Sequence, residues 1–353
     1  MKIKIAVFGC KVSQYEAQVL RERFVNAGDE LVTNLSDADK LVVNTCVVTS
    51  RAESEGLRLA KQGAAKGKDV TITGCFARMD SRSRRDITGP IQVVPLEEIL
   101  SRFPEPRESI TYFAGHSRAF IKVEDGCSKR CHYCLVSRIR GPVRSRPINE
   151  VISEIQGLIS NGYREIVFSG INLGLYGSDS GLSLTSLLQQ VFALPNLPDG
   201  FRVRLSSLEP DLVSPDLIDL MANDQRIYPH FHLPLQSGSE RILKKMGRGY
   251  TTAEYFSLVN RIRSKIPNLI LTTDLMVGFP GETEEDFQAT LDFAKSLRFM
   301  KAHIFRFSPR PGTPAASFPE QVPETIKKKR STLLKHFLVC STCHSERSEE
   351  SIP

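Results

Sequence analysis

Short apolar runs alternate with amphipathic stretches over the first hundred residues. The apolar runs are Ile3–Phe8, Leu41–Asn44 and Val70–Thr73, and a helix-compatible stretch follows each of them, at Gln14–Ala27, Arg51–Ala65 and Ala77–Arg85. Strands that alternate with helices are typical of a parallel sheet with right-handed crossover connections. The pattern therefore predicts an N-terminal α/β domain in which helices and a parallel sheet form three layers.

The same alternation continues through the middle of the chain with longer units. Six strands are predicted there, at Ala119–Val123, Glu165–Ser169, Arg202–Ser206, His230–Pro234, Leu269–Asp274 and Ala302–Phe307. Helical patterns fill the segments between these strands, at Asn149–Ser160, Leu184–Ala193, Pro210–Met221, Glu240–Met246, Thr252–Ser264 and Glu284–Leu297. A complete TIM barrel has eight βα units, so six units predict a partial (β/α)6 TIM-like barrel.

The boundaries between these regions follow from the loss of periodicity. Pro104 and Pro106 lie in a polar stretch without a repeating pattern, which indicates a linker at residues 104–116. The chain ends in HSERSEESIP, a polar segment that cannot bury enough apolar area to order itself. We expect domains at residues 1–113 and 114–338 and a low-complexity tail at 339–353.

Composition adds limits on the class of protein. The chain has 353 residues, 41% of them hydrophobic and 25% charged, which is typical of a globular protein of about two domains. No apolar run approaches the ~20 residues that span a bilayer, and charge comes too early for a signal peptide. We therefore expect a cytoplasmic protein without a membrane segment. The net charge of +7 is a mild indication of a polyanionic partner.

Cysteine is the informative residue type, because eight cysteines without a secretory signal indicate metal binding or catalysis rather than disulfides. Cys127, Cys131 and Cys134 form C-x3-C-x2-C directly after the first predicted barrel strand, at the end where barrel active sites are built. Three thiolates can hold three irons of a 4Fe–4S cluster and leave the fourth iron open. A zinc site is the alternative, and His132 would have to supply its fourth ligand.

Three further cysteines share one position relative to the predicted N-terminal sheet. Cys10, Cys46 and Cys75 lie in AVFGC, VVNTC and TITGC, and each follows a predicted strand by one or two residues. The carboxyl ends of parallel strands meet at one edge of the sheet, so these thiols can converge on a second cluster. The small neighbours Gly9 and Gly74 would let the backbone approach it closely. The alternative is three buried cysteines that act as small hydrophobic residues.

The cysteine spacing leads to a resemblance. C-x3-C-x-aromatic-C at the first strand of a βα barrel, with Tyr133 at the aromatic position, resembles the radical S-adenosylmethionine superfamily. In that superfamily the open iron binds the amino and carboxylate groups of S-adenosylmethionine. Reductive cleavage of this cofactor then yields a 5′-deoxyadenosyl radical. An external electron donor such as flavodoxin or ferredoxin is implied.

The three-cysteine domain ahead of such a barrel narrows the resemblance to the methylthiotransferases. The motifs that carry it run in order from residue 5 to residue 316, and they are GCKVSQYEAQ (9–18), NTCVVT (44–49), GCFAR (74–78), DGCSKRCHYC (125–134), RGPVRSRP (140–147), EIVFSGINLGLYG (165–177), RLSSLEP (204–210), HFHLPLQSGSERILKKMGRGY (230–250), TTDLMVGFPGETEEDF (272–287) and FRFSPRPGTPAA (305–316). In that family one S-adenosylmethionine methylates sulfur and another generates the radical that removes hydrogen from an unactivated C–H bond. The resemblance implies that Cys127, Cys131 and Cys134 start the radical, and that a second 4Fe–4S cluster at Cys10, Cys46 and Cys75 delivers the sulfur.

Further residues are assigned to the cofactor site with alternatives left open. Ser169, Gly170 and Asn172 resemble the segment that contacts the methionyl amino group, although a turn that needs only the glycine explains them equally well. Glu209 and Gln236 lie at strand ends that face the predicted cavity, or are cap or rim residues.

The expected substrate is RNA. NTCVVT resembles the branch that acts on N6-threonylcarbamoyladenosine, so we expect C2 methylthiolation of that base next to the anticodon of ANN-decoding tRNAs. The alternatives are isopentenyladenosine in tRNA and an aspartate of a ribosomal protein. The basic segments Arg78–Arg85 and Arg138–Arg146 would contact the phosphates of the anticodon loop, or they form a solvated basic face.

One departure from the family concerns the C-terminal part of the chain. Family members continue into a small RNA-binding β-barrel, the TRAM domain, and no strand pattern follows Phe318 here. Cys340 and Cys343 have no second pair and are interpreted as incidental. A second hypothesis is therefore a truncated, non-catalytic iron–sulfur protein that only binds RNA.

Overall fold

The protein is an α/β chain that divides into two compact units. The computed structural model describes residues 1–80, 87, 89–104 and 108–340. Residues 339 and 340 are described for the backbone only. The first unit contains residues 1–129 and 134–203, and the second contains residues 130–133 and 204–353. The predicted domains at 1–113 and 114–338 use other boundaries and remain a prediction. Three features of the sequence fall wholly or partly outside the described residues. They are most of the basic segment Arg78–Arg85, part of the linker at 104–116, and Cys343.

A five-stranded sheet forms the N-terminal part of the first unit, in the order β2-β1-β3-β4-β5. Its strands are β1 (Lys2–Phe8), β2 (Glu30–Leu31), β3 (Lys40–Thr45), β4 (Asp69–Thr73) and β5 (Ile91–Val93). All of its neighbouring strands pair in parallel. The helices of this part are α1 (Lys11–Asn26), α2 (Ser50–Ala65) and α3 (Leu96–Leu100).

Helix α2 shows how the local sequence builds this layer. Its N-cap is Thr49, whose side chain accepts a hydrogen bond from the backbone N–H of Ala52 at 3.2 Å. Gly56 brings the helix close to β3, because a Cβ there would meet the side chain of Thr45 at 2.5 Å. The apolar face of α2 packs on a core that includes Leu41 and Ile72. The predicted parallel α/β architecture is confirmed.

The rest of the first unit carries the first barrel strands. They are β6 (Ala119–Lys122), β9 (Glu165–Ser169) and the first half of β10 (Arg202–Leu205), with the antiparallel pair β7 (Glu124–Asp125) and β8 (Arg144–Ser145) between them along the chain. β6 and β9 pair in parallel. Its helices are α4 (Val136–Arg140), α5 (Ile148–Ser160) and α6 (Leu184–Phe192).

The second unit repeats the βα alternation. Parallel strands β11 (His230–His232), β12 (Ile270–Val277) and β13 (Lys301–Arg306) form its sheet in that order. Its helices are α7 (Pro215–Asn223), α8 (Glu240–Met246), α9 (Thr252–Lys265), α10 (Glu284–Ser296) and α11 (Glu324–Cys340). All six predicted barrel strands are present, as expected for a partial TIM-like (β/α)6 arrangement.

One predicted helix is interrupted. The segment predicted as a helix at Pro210–Met221 forms a short 3₁₀ turn at Pro210–Leu212, and α7 begins only at Pro215. Ser214 caps α7 by accepting from the backbone N–H of Leu217, and Pro215 occupies the first helical position, which suits its fixed φ. Within the described residues, no helix combines the length and apolar composition needed to cross a bilayer.

Candidate functional site

The structure brings Cys10, Cys46 and Cys75 together at one edge of the N-terminal sheet. Cys10 is the N-cap of α1, directly after β1, and the other two cysteines follow β3 and β4. The backbone N–H of Cys46 donates to Phe8 O at 2.8 Å, which holds two of the three loops in register. The Cys46 thiol interacts with both of the other thiols, which raise its pKa.

Two glycines allow the backbone to pack closely beside the cysteine loops. Gly9 has φ +146°, and a Cβ there would lie 2.5 Å from the Cβ of Cys46. Gly74 has φ +80°, and a Cβ there would overlap the side-chain oxygen of Asn44. That oxygen is buried and has no hydrogen-bond partner among the described residues. Neither position has room for a Cβ, and both have a positive φ, so glycine is required at each.

The pKa values of two of the three thiols favour metal binding. The hydrogen bond from Cys46 lowers the pKa of Cys10 to about 6, and the charge of Arg140 acts in the same direction. The pKa of Cys75 is also lowered, by Cys46 and Arg140, whereas that of Cys46 is raised well above its ordinary value. Thiolates are the form that binds metal.

The three thiols are donors of the kind that an iron–sulfur cluster binds. In the described part of the chain, no three His, Cys, Asp or Glu side chains are arranged to hold one metal ion. A cubane does not require ligands around one point, because it binds thiolates at separate corners. The three thiols at one sheet edge and the lowered pKa of Cys10 and Cys75 are the observations that fit such a group.

Below the thiols lies a network of buried charges that the sequence analysis missed. Arg140 is fully buried and donates to Glu16, to Asp125 and to the sulfur of Cys75. Lys122 is also buried and pairs with the carboxylate of Glu108. Burial opposes the charge of Asp125, yet the neighbouring cations Lys122 and Arg140 hold the pKa of that carboxyl well below its usual range.

The basic segment Arg138–Arg146 is therefore not a continuous exposed stripe. Arg140 is buried, and Arg146 pairs with Glu154 while its guanidinium donates to Tyr15 Oη at 3.1 Å. The side chain of Arg144, by contrast, is 51% exposed. Charge alone could not separate the inward arginines from the outward ones, because only their tertiary partners differ.

The loop after β6 carries Cys127. Gly126 has φ +92°, and the backbone N–H of Cys127 donates to Gly141 O at 3.1 Å. Asn172 reaches the same cysteine, with its Nδ2 3.6 Å from Sγ. Cys134, the last cysteine of the motif, is half-buried just before α4.

A buried carboxylate lies beside this loop. Glu124 accepts the backbone N–H of Asn172 at 2.9 Å through Oε2, while its Oε1 has no partner among the described residues. Burial raises the pKa of Glu124 to about 8. Gly170 packs against it, since a Cβ there would lie 2.5 Å from Oε2. The hydroxyl of Ser169 instead donates to Ile121 O at 3.0 Å, a contact inside the sheet.

These contacts make Glu124 the residue that orders the predicted cofactor segment. The Oδ1 atom of Asn172 is likewise buried and unpartnered in the described structure, so two acceptors remain available at this point. An ammonium group is a donor that such acceptors suit. The sequence gives little signal for Glu124, because the charged residues Lys122 and Asp125 lie beside it.

The second unit contains Cys131 and Tyr133 together with a buried arginine. Arg248 donates to the sulfur of Cys131 at 3.4 Å and to Tyr133 Oη at 3.1 Å. Its other terminal nitrogen forms an ion pair with Glu209. The carboxylate predicted to face a cavity is thus engaged by a guanidinium whose side chain is only 2% exposed.

Gln236 lies in the same unit, at a strained backbone position. Its φ is +65°, which is uncommon for a residue with a Cβ. Its backbone is fixed by bonds to β12: the N–H donates to Asp274 O at 2.8 Å, and its carbonyl accepts from Met276 N–H at 2.8 Å. The residue is buried at the end of the β11 loop. Strain of this kind is commonly found at binding sites.

Comparison with known proteins agrees with the fold and the cysteine motif. Residues 121–294 match the model of the radical SAM superfamily, and residues 2–94 match an uncharacterized protein family, UPF0004. Among solved structures, the radical S-adenosylmethionine methyltransferase TsrM of Kitasatospora setae superimposes with a TM-score of 0.63 at 16% identity, over 89% of this chain and 75% of that one. Fold and motif thus define a radical S-adenosylmethionine protein, a class that uses a 4Fe–4S cluster and S-adenosylmethionine.

Similarity over nearly the whole chain identifies the family. A Threonylcarbamoyladenosine tRNA methylthiotransferase of Thermotoga maritima is 37% identical over 94% of this chain and 81% of its own length. A tRNA-2-methylthio-N(6)-dimethylallyladenosine synthase of Pelotomaculum thermopropionicum is 34% identical over 99% of this chain and 84% of its own length. The chain belongs to the radical S-adenosylmethionine methylthiotransferases, enzymes that transfer methylthio groups.

Proposed function

We propose that this enzyme attaches a methylthio group to C2 of N6-threonylcarbamoyladenosine, next to the anticodon of ANN-decoding tRNAs. The observation that carries the proposal is the gathering of three thiols at one sheet edge in a chain that also holds the C-x3-C-x2-C loop. Support for the substrate comes from the 37% identity to a threonylcarbamoyladenosine tRNA methylthiotransferase and from NTCVVT at residues 44–49.

The radical-generating group is assigned to Cys127, Cys131 and Cys134. These thiols would hold a 4Fe–4S cluster that, with S-adenosylmethionine bound, would supply the radical for removal of hydrogen from the base. Glu124 and Asn172 present unpartnered oxygens, and an ammonium group bound beside them would favour the ionised, accepting form of Glu124. Glu124 also orients the segment that contains Gly170 and Asn172 through its bond to the Asn172 amide.

In the second unit, Arg248 contacts the side chains of both Cys131 and Tyr133. Its guanidinium donates to both, so it fixes the tyrosine ring relative to the cysteine. Glu209 neutralises the arginine in this dry environment. We assign Tyr133, Ser169, Gly170, Asn172, Glu209 and Gln236 to the cofactor site, with Glu209 acting through the arginine.

A second 4Fe–4S cluster is assigned to Cys10, Cys46 and Cys75. A cluster held there would supply the methylated sulfur that joins the substrate. The lowered pKa of Cys10 and of Cys75 favours the thiolate form that binds iron. The placement of UPF0004 at residues 2–94 supports a separate sulfur-delivering domain at 1–113, followed by a radical domain at 114–338.

The partners follow from the reaction. We infer that the enzyme binds the anticodon loop of tRNA in the cytoplasm and receives electrons from flavodoxin or ferredoxin. The similarity to the dimethylallyladenosine synthases over 99% of the chain favours one alternative substrate, isopentenyladenosine in tRNA. An aspartate of a ribosomal protein is a third candidate, and a non-catalytic RNA-binding protein a fourth.

Nucleoside mass spectrometry of tRNA separates these candidates. Cells that lack the gene should lose the methylthio group from threonylcarbamoyladenosine and keep it on isopentenyladenosine. Complementation with the wild-type gene should restore the product, and the Cys46→Ala variant should not. Unchanged methylthio-threonylcarbamoyladenosine in the deletion strain would exclude the proposed substrate.

A further inference from the structure

A buried guanidinium contacts one of the three thiols directly. Arg140 is the last residue of α4, and its side chain has no solvent exposure. Its Nε and Nη2 atoms lie 3.3 and 3.2 Å from Sγ of Cys75, and both N–H groups donate to that sulfur. Two donors from one rigid group thus converge on a single sulfur atom.

The opposite edge of the guanidinium is held by carboxylates. Nη2 donates to Glu16 Oε2 at 3.2 Å, and Nη1 donates to Glu16 Oε1 and to Asp125 Oδ2, the latter at 3.2 Å. Glu16 lies on α1, the helix that Cys10 caps. Only the planar fork of arginine can serve two carboxylates and a sulfur in fixed directions, since lysine is a point charge on a flexible stem.

A simple structural role, in which Arg140 only neutralises Glu16 and Asp125, does not account for this geometry. Lys122 is buried beside the same carboxylates, with its Nζ 3.6 Å from Glu16 Oε1 and 3.4 Å from Asp125 Oδ2. Part of the neutralisation is therefore supplied already. The edge of Arg140 that carries Nε is directed at Cys75.

We propose that Arg140 is a positioning residue for the Cys10–Cys46–Cys75 cluster, which hydrogen-bonds the Cys75 sulfur and raises the reduction potential of the cluster bound there. This inference rests on the proposed function, because it needs iron at these cysteines. Hydrogen bonds to ligand sulfurs withdraw negative charge from them and favour the state with one additional electron. The reduction adds that electron without forming or breaking a bond.

The test uses the full chain with Cys127, Cys131 and Cys134 replaced by alanine, so that one cluster site remains. After anaerobic reconstitution, iron content and the midpoint potential are measured by a dithionite titration followed by electron paramagnetic resonance. Arg140→Met should keep about four irons and shift the midpoint to a more negative potential. Arg140→Lys should shift it less, because the charge remains while the paired donors are lost.

Arg146→Met is the matched control. Arg146 is also an inward-facing arginine of the first unit, but it pairs with Glu154 and Tyr15 rather than with a thiol. Its replacement should leave the midpoint unchanged. An equal shift in Arg146→Met and Arg140→Met would overturn the proposal, as would an unchanged midpoint in Arg140→Met.

Two outcomes separate this inference from the proposed function. If the parent with Arg140 intact binds no iron, the second cluster itself is refuted. If the parent binds iron but Arg140→Met loses it, Arg140→Lys gives the decision, because it keeps the buried positive charge and removes the paired donors. A midpoint more negative than that of the parent supports the proposal, and an unchanged midpoint in Arg140→Lys contradicts it.

Discussion

The carboxylate of Glu124 accepts the backbone N–H of Asn172 at 2.9 Å. This bond joins the strand end before Cys127 to the loop that follows β9, within the first unit. Glu124 is completely buried, and its second oxygen is unpartnered among the described residues. A buried carboxyl of this kind retains its proton to a higher pH than an exposed one.

The first prediction concerns pH. Burial raises the pKa of Glu124 from 4.5 to about 8. Between these values the folded state holds a proton that the unfolded state has released, so stability falls as the pH rises. The slope is at most about 1.4 kcal/mol per pH unit. The side chain of Glu124→Gln cannot titrate. In urea unfolding, the free energy of unfolding of this variant relative to wild type should therefore increase between about pH 5 and about pH 8.

The exposed Glu55 provides the control for that measurement. It lies on α2 and pairs with Arg51 at the surface. Glu55→Gln makes the same change in charge on an exposed side chain, so the pH dependence of Glu124→Gln is judged against that of this variant. Parallel pH curves for wild type and Glu124→Gln would contradict the account.

The second prediction compares two glycines of the first unit. A Cβ at Gly170 would lie 2.5 Å from Glu124 Oε2, and one at Gly157 in α5 would meet nothing within 4 Å. Gly170→Ala should lower the free energy of unfolding by about 1–3 kcal/mol through overpacking. Gly157→Ala should raise it by about 0.5–1 kcal/mol, because alanine is the better helix former. Equal effects in chemical denaturation would argue against tight packing at Gly170.

The third prediction concerns the buried pair in the second unit. Glu209→Gln leaves the guanidinium of Arg248 without its counter-charge, which should destabilise the protein by on the order of 3 kcal/mol. Asp219→Asn removes an exposed pair with Lys265 and should cost only about 0–1 kcal/mol. Thermal unfolding of both variants checks the difference. A negligible effect of Glu209→Gln would show that the ion pair between Arg248 and Glu209 does not stabilise the second unit.

The fourth prediction separates the two cysteine sets. Anaerobic reconstitution should load about eight irons per chain, and about four when either set is replaced by alanine. Cys127→Ala should abolish reductive cleavage of S-adenosylmethionine. Cys46→Ala should preserve that cleavage and stop methylthiolation. Loss of cleavage in both variants would contradict the division of roles, and four irons in the wild type would exclude the second cluster.

The order of strands and helices could be predicted from the sequence because each element has its own periodicity. Glu165–Ser169 and Glu240–Met246 were predicted at their observed bounds. The helix predicted from Pro210 was wrong at its start, because the cap at Ser214 competes with continuation from the preceding turn. Periodicity predicts that a helix is present, but the residue at which the helix begins depends on a single capping side chain.

The buried charges could not be predicted, since charged residues are normally assigned to the surface. Arg140 reaches Glu16 across 124 residues of sequence, and Arg248 reaches Glu209 across 39. Only the fold brings such partners together. The cysteines were found because their spacing is itself a chemical signature, whereas a guanidinium that supports a thiol leaves no comparable pattern.

The most direct test of the proposed activity uses the purified chain. After anaerobic reconstitution with iron and sulfide, it is incubated with S-adenosylmethionine, a reductant and tRNA that carries unmethylthiolated threonylcarbamoyladenosine. Nucleoside mass spectrometry should then detect the C2-methylthio derivative of this base, and none in tRNA that carries isopentenyladenosine instead. Cofactor cleavage without any methylthio product on threonylcarbamoyladenosine, or a product only on isopentenyladenosine, would contradict the account.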